Sequence, residues 1–277
     1  MKNNINIIPS IFNFKSLRNI VSARISQIRH FKKFFRIWKR YKKNHDFPIF
    51  LQLQTINRCN ANCPMCPYAA TTAEGALQLM SDEVFEKIIN EISTRNEVEL
   101  IVMSFQNEPL SDKKIIDRAR YIKSVVPHIT LELVSNGYLL NSSIAEDIYD
   151  VFDEVELSIH AVNHDTYKEV LGGLDLDKTL ENIFHIGKSK YMRSKTVLRF
   201  VKQQANFNEF SHFKKFWRRN GFAVLGFDLN SRLHAVKDYE NMKYRVKWFQ
   251  KLEIKILKMI SPLLFSFCPI PNTAMYI

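Results

Sequence analysis

The chain has 277 residues, of which 46% are hydrophobic and 25% charged, values that are typical of one large or two small globular domains and exclude a disordered or fibrous chain. It contains no run of about 20 apolar residues, so no membrane span is predicted. Arginines interrupt the apolar residues near its start, so no secretory signal is predicted.

The net charge of +12 is concentrated at the amino end. Residues 1–46 hold 12 Lys and Arg and a single acidic residue, Asp46, whereas residues 47–277 hold 28 basic and 27 acidic residues. We therefore divide the chain into a basic extension (1–46), a central domain (47–235) and a carboxyl-terminal segment (236–277).

A helix is predicted within the basic extension, because apolar residues recur there at spacings of three and four. Three roles are open to it. The helix packs across the central domain with a solvated basic face, it makes a peripheral contact with an anionic membrane through residues 17–43, or it binds a nucleic acid or protein partner. The apolar positions are Leu17, Ile20, Val21, Ile25, Ile28, Phe31, Phe34, Phe35, Trp38 and Tyr41.

From residue 47 onward, short apolar runs alternate with amphipathic stretches, which predicts βα units around a parallel sheet. Six units are too few to close an eight-stranded barrel. The predicted fold is therefore α/β: a partial (β/α)6 TIM-like barrel with a basic amino-terminal helix and a carboxyl-terminal helix at about 238–260. The predicted strands are 49–54, 98–104, 130–135, 154–159, 196–201 and 223–229, and the predicted barrel helices are 81–95, 112–125, 142–149, 176–190 and 208–220.

Three of the four cysteines lie together directly after the first predicted strand, as Cys59, Cys63 and Cys66. Two prolines interrupt this segment and predict a loop. A structural zinc site needs four protein ligands, whereas a [4Fe–4S] cluster held by three cysteines leaves one iron open. The spacing alone leaves an iron–sulfur cluster, a zinc knuckle and three buried thiols as alternatives.

Cys-x3-Cys-x2-Cys at the end of the first strand of a partial barrel resembles the signature of the radical S-adenosylmethionine (SAM) enzymes, over about residues 47–235. The resemblance implies that Cys59, Cys63 and Cys66 hold a [4Fe–4S] cluster whose open iron binds SAM. It also implies an external electron donor of the flavodoxin or ferredoxin type, cleavage of SAM to a 5′-deoxyadenosyl radical, and hydrogen abstraction from a substrate. Met65 departs from the family, which often has an aromatic residue there.

Polar residues follow the predicted strands, at the end of the barrel where such folds carry their sites. The segment 104–110 resembles the family's Gly-Gly-Glu-Pro, so Glu108 is expected to receive the SAM amino group, although Asn107 replaces a glycine. Asn136 lies in a turn similar to the family's Thr-Asn-Gly. The candidate SAM-binding residues are Asn107, Glu108, Asn136, Ser158, His160 and Gln203, and the weaker interior candidates are Gln52, Gln54, Arg199, Asp228 and Asn230.

The tail, residues 267–277, resembles the opening of a SPASM domain, which binds auxiliary clusters in related enzymes, and we expect the rest of that domain to be missing or truncated. Cys268 is the last cysteine in the sequence. Because one cysteine cannot hold a cluster, we predict that Cys268 binds none.

The resemblance thus implies a radical SAM enzyme, an oxidoreductase that acts on a peptide or protein side chain or on a sugar-like molecule. Its catalytic residues are not assigned. The rival interpretations are a degenerate paralogue without turnover and a zinc-binding module with a basic nucleic-acid-binding arm. The expected location is the cytoplasm, with membrane association at the inner face if the basic helix binds lipid.

Overall fold

The first six strands of the sheet lie side by side in the order in which they occur along the chain, as βα units require. The computed structural model describes residues 17–41, 47–68, 75–232, 234–244 and 274–276, and its seven strands pair in parallel in the order β6-β5-β4-β3-β2-β1-β7. The two outermost strands do not pair with each other, so the barrel is open, and the predicted α/β partial barrel is confirmed with one extra strand. The strands are β1 (Phe50–Gln52), β2 (Leu100–Val102), β3 (Thr130–Ser135), β4 (Glu154–Ser158), β5 (Thr196–Lys202), β6 (Ala223–Asp228) and β7 (Ala274–Tyr276).

Helices connect the strands, and two of their predicted start signals act as caps. The side chain of Ser81 accepts the Val84 N–H, and that of Asn141 accepts the Ser143 N–H. Two short helices, at His164–Val170 and Lys190–Lys195, were not predicted. The helices are α1 (Leu17–Tyr41), α2 (Asp82–Ser93), α3 (Ile115–Val125), α4 (Ser142–Val151), α5 (His164–Val170), α6 (Leu176–Lys188), α7 (Lys190–Lys195), α8 (Phe210–Arg219) and α9 (Tyr239–Met242).

Two predicted helix boundaries differ from the structure. Helix α3 begins at Ile115 rather than at Asp112, because the Asp112 carboxylate accepts the Lys114 N–H and pairs with Arg118 at 2.8 Å. The helix predicted at about 238–260 is described only as α9. Residues 245–273, and with them Cys268, lie outside the described residues.

Along each strand, successive side chains point to opposite faces of the sheet, as its pleat requires. Leu131, Leu133, Val155 and Leu157 belong to the main core, which also contains the buried faces of the surrounding helices. Residues of the opposite parity face the interior of the open barrel. In the interior, Ile37 of α1 packs on apolar residues of β1 and β2, namely Phe50, Leu100 and Val102.

Helix α1 covers the amino ends of the strands and is held there by buried charges. Lys33 Nζ donates to Glu132 at 2.5 Å and to Glu154 at 2.8 Å, and His30 Nδ1 lies 2.6 Å from Glu154. A third interior carboxylate, Glu156, pairs with Arg199 of β5 at 2.9 Å. His30, Glu154 and Glu156 have ligand atoms that converge as in a metal site, but cationic side chains of the protein already neutralise these carboxylates.

The face of α1 that packs is not the apolar one. The stripe buried against the barrel is Ala23, Ser26, His30, Lys33 and Ile37, whereas five apolar residues of the predicted stripe are about half exposed. The physical reason is that Glu132, Glu154 and Glu156 need cationic partners in a region closed to water. The packed-helix alternative is therefore what the structure shows for residues 17–41, with its polar face inward. The exposed apolar residues of α1 are Val21, Ile25, Ile28, Phe31 and Phe35.

Within the described part of the chain, no helix combines the length and the apolar character needed to cross a bilayer.

Candidate functional site

The cysteine loop follows the carboxyl end of β1, as predicted, and is tied to the end of β2. Cys59, Cys63 and Cys66 are each partly buried. The Cys66 N–H donates to the Cys63 carbonyl at 2.9 Å, which folds the loop back on itself, and the Glu108 N–H donates to the Arg58 carbonyl at 2.9 Å. The three thiols are therefore displayed on a braced loop at the end of the barrel opposite α1.

The three thiols suit a cationic centre. Burial raises the pKa of each thiol, that of Cys59 to about 12, and the neighbouring sulfurs raise the pKa of Cys63 further. Thiolates here therefore need a positive partner. Within the described residues the loop offers three thiols, which is one fewer than a structural zinc site uses and is the number that leaves one iron of a [4Fe–4S] cluster open. The donor set therefore fits an iron–sulfur cluster.

Glu108 joins the ends of β2 and β3. It is fully buried, and its carboxylate accepts hydrogen bonds from the Ser135 hydroxyl at 2.8 Å and from the N–H groups of Asn136 at 2.9 Å and Leu110 at 3.0 Å. Burial raises the pKa of Glu108 to about 7, even though the three hydrogen-bond donors lower it. A cation beside this carboxylate would be strongly favoured.

Asn107 carries an unsatisfied buried donor beside Glu108. Its side-chain carbonyl accepts the Phe105 N–H at 3.0 Å, while its amide nitrogen is buried and has no hydrogen-bond partner among the described residues. Because orphaned buried donors are costly, such an atom at a strand end suits an acceptor on a ligand.

Asn136 links the turn after β3 to the cysteine loop. Its amide nitrogen donates to the Asn60 side chain at 2.7 Å, and its side-chain carbonyl accepts the Tyr138 N–H at 3.0 Å. Gly137 beside it has a φ of 76°, which a glycine adopts without strain. The residue that sequence reasoning passed over here is Asn60, whose only signal was its position between two of the cysteines.

His160 does not continue the β4 alternation that the sequence predicted. Strand β4 ends at Ser158, whose side chain is partly exposed, and His160 turns into the left-handed region with a φ of 60°. The buried imidazole accepts the Val201 N–H at Nδ1, 3.1 Å away. Burial and the Arg199 charge lower its pKa to about 3, so the ring is neutral and carries its proton on Nε2.

Gln203 touches the cysteine loop: its amide nitrogen lies 3.2 Å from the Met65 sulfur. The turn that holds it is built by Asn206, a fully buried residue that sequence reasoning missed. Asn206 accepts the Gln203 N–H at 2.7 Å and donates to the carbonyls of His160 and Val201. An asparagine three residues beyond Gln203 was the available signal.

The weaker interior candidates have structural partners. Gln54 accepts the Gln106 N–H at 2.9 Å, and Gln52 donates to the Ser104 carbonyl at 3.3 Å, so both amides brace the loop after β2. Arg199 pairs with Glu156, as described above. The remaining two candidates contact nearby residues. Asp228 pairs with Lys202 of the neighbouring strand at 2.7 Å, and Asn230 accepts the Arg232 N–H at 2.7 Å.

Gly172, after α5, supports the cysteine loop from below and was not singled out in the sequence. It has a φ of 61°, and a Cβ at this position would overlap the backbone of Asn62. Its neighbour Gly173 also has a positive φ, 94°, but a Cβ there would meet nothing within 4 Å. The loop between Cys59 and Cys63 therefore rests directly on a glycine backbone.

We expect Gly172→Ala to displace the cysteine loop and to destabilise the protein by about 1–3 kcal/mol more than Gly173→Ala, because only the first adds overlap to backbone strain. Thermal unfolding measures the difference, and iron bound after anaerobic reconstitution should fall only in Gly172→Ala. Equal melting temperatures and equal iron contents in the two variants would contradict this account of the loop.

A family model described as Radical SAM superfamily matches residues 53–204. The chain is 28% identical over 132 residues to a GTP 3′,8-cyclase of Crocosphaera subtropica, covering 44% of this chain and 37% of that protein. It is 21% identical over 184 residues to a GTP 3′,8-cyclase of Lactiplantibacillus plantarum, covering 65% and 54%.

Two solved structures share the fold. Streptococcus suis SuiB bound to S-adenosylmethionine superposes with a TM-score of 0.61 at 14% identity, over 86% of this chain and 52% of that one. Native anSMEcpe with bound AdoMet superposes with a TM-score of 0.52 at 17% identity, over 65% and 51%. The chain thus spans about half the length, or less, of these two relatives and two solved structures.

Proposed function

The chain belongs to the radical SAM superfamily, whose members use a [4Fe–4S] cluster and SAM, and we propose that it is an enzyme of this kind, with Cys59, Cys63 and Cys66 as the cluster ligands. The observation that carries the proposal is the hydrogen-bonded path from the cysteine loop through Asn60 and Asn136 to Glu108. It links the loop that carries the three thiols to a buried carboxylate at the same end of the barrel.

The side chains around this path would each bind a different part of SAM. The Glu108 carboxylate is suited to the SAM ammonium, and the orphaned amide nitrogen of Asn107 is suited to the SAM carboxylate. His160 stays neutral and offers a proton on Nε2 as a hydrogen-bond donor, while Gln203 and Ser158 border the same region. When bound, the cluster would supply the electron that cleaves SAM, and the radical formed from SAM would abstract hydrogen from the substrate.

The resemblance to the family supports the remaining components of the proposal. The electron that SAM cleavage consumes comes from an external donor of the flavodoxin or ferredoxin type. The substrate that we propose, from the classes on which members of the family act, is a peptide or protein side chain or a sugar-like molecule. Because sequence relatives are named GTP 3′,8-cyclase, GTP is a specific compound to test alongside these classes.

Anaerobic reconstitution of the full chain with iron and sulfide, followed by reduction in the presence of SAM, tests the proposal. We expect about four irons per chain, as one [4Fe–4S] cluster requires, and formation of 5′-deoxyadenosine. Acceleration of this reaction by added GTP or by a peptide would identify the substrate class.

The same experiment separates the rival interpretations. A cluster that forms without any SAM cleavage would indicate a degenerate paralogue. Zinc bound in place of iron would indicate the zinc module, and the enzyme proposal would then be abandoned.

A further inference from the structure

The outer face of α1 is unlike any other surface in the described part of the chain. Of the eleven exposed large hydrophobic residues described, five lie on this helix: Val21, Ile25, Ile28, Phe31 and Phe35. They span about 21 Å of helix. Soluble proteins rarely expose apolar residues in such a continuous row unless another surface covers it.

Basic residues lie between and beside these apolar residues. Arg24, Arg29, Lys32 and Lys39 are all exposed, and the helix contains no acidic residue. Two further exposed arginines, Arg36 and Arg40, pair with Glu99 of the barrel. We call Val21, Ile25, Ile28, Phe31 and Phe35 together with Arg24, Arg29, Lys32 and Lys39 the outer face of α1.

The side chains of α1 that contact the barrel carboxylates lie on the opposite side of the helix. Lys33 and His30 point inward to Glu132 and Glu154, so the cations of the outer face are not needed to hold the helix in place. A partner of this face must therefore supply negative charge and an apolar layer together.

We infer that the outer face of α1 docks on an anionic lipid surface. A helix that exposes bulky apolar residues flanked by Lys and Arg lies in the plane of such a surface, with its apolar side chains among the lipid chains and its cations at the headgroups. A protein or nucleic acid partner would match the charge, but the row of half-exposed Ile and Phe side chains favours lipid.

The docking also fixes an orientation. Helix α1 lies at the amino ends of the strands, beside Glu99 and Glu154, whereas Cys59, Cys63 and Cys66 follow the carboxyl end of β1. The bilayer therefore contacts the base of the barrel, and the cysteine loop at the opposite end stays open to a soluble electron donor and substrate.

The test is co-sedimentation of the full chain with phosphatidylcholine vesicles, with and without phosphatidylserine. The variant Ile28→Gln with Lys32→Gln removes one apolar and one basic residue of the outer face. The matched control, Val84→Gln with Lys87→Gln, removes an exposed apolar and an exposed basic residue of α2. All four residues are exposed, so both variants should keep the thermal stability of the parent chain.

We expect binding to phosphatidylserine vesicles at low salt, little binding to phosphatidylcholine alone, and weakening at high salt. The α1 variant should bind about tenfold more weakly, and the α2 control should bind like the parent chain. Failure to bind phosphatidylserine vesicles at low salt, or equal loss in both variants, would overturn the proposal. So would a dimer without lipid that the α1 variant abolishes, or nucleic-acid binding in place of vesicle binding.

Discussion

The Cys63→Ala protein is expected to form no 5′-deoxyadenosine from SAM. Three thiolates are the fewest that hold a cuboidal cluster with one open iron, and the described loop offers three, so removal of one leaves the cluster without an anchor. Loss should be complete rather than partial, and the same result is expected for Cys59→Ala and Cys66→Ala. Iron content and the 5′-deoxyadenosine yield after anaerobic reconstitution measure both effects.

Cys268→Ala provides the matched control for the loop variants. Because Cys268 is predicted to bind no cluster, this variant should keep about four irons per chain and full SAM cleavage. A loop variant with full 5′-deoxyadenosine yield would refute the assignment of the cluster ligands. An iron content near eight in the parent chain that halves in Cys268→Ala would instead refute the prediction for Cys268.

Exchange of Lys33 for methionine is expected to lower the free energy of unfolding by about 3–5 kcal/mol, because it leaves buried carboxylates without their partner. Lys33 is the group that contacts Glu132 and Glu154 together, and all three side chains are buried. The neighbouring Lys32→Met is the control, since Lys32 is exposed and its loss should change the free energy by no more than about 0.5 kcal/mol. Urea unfolding compares the two.

The decrease in the free energy of unfolding that Lys33→Met causes should grow as the pH rises. Burial raises the pKa of Glu132 to about 7 even with Lys33 beside it, and removal of the ammonium raises it further. A carboxyl whose pKa is raised in the folded state stabilises that state at low pH and loses this contribution as the pH climbs through the folded pKa. The variant should therefore be closer to the parent chain at pH 5 than at pH 8, and an equal difference at both would contradict this explanation.

The strands could be predicted from the sequence because their signal is local. Leu131 and Leu133 face the main core while Glu132 between them faces the interior, and this two-residue alternation is visible in the sequence itself. The cysteine spacing and the carboxylate at Glu108 were equally local. Local patterns also gave the positions of the turns, such as Asn136-Gly137.

The packing of α1 could not be predicted in the same way. Under the packed-helix alternative, its periodicity would place Ile25, Ile28 and Phe31 against the protein, whereas Lys33 and His30 lie there. The cause is three carboxylates on β3 and β4, about a hundred residues away, whose presence in the barrel interior is known only once the sheet is assembled. The alternation predicted for β4 stops before His160 for a similar reason. The left-handed backbone of His160 is stabilised by hydrogen bonds with Val201 and Asn206, which lie far along the chain.

The buried ion pairs of α1 also determine when this helix can take its place during synthesis. Lys33 is joined to residues 99 and 121 positions further along the chain. A ribosome therefore makes the helix first, but its partners emerge much later, and β3 and β4 must pair before they can receive it. Until then α1, with its basic and apolar residues exposed, is available on the nascent chain to chaperones or to lipid, because the barrel whose amino ends it covers has not yet formed.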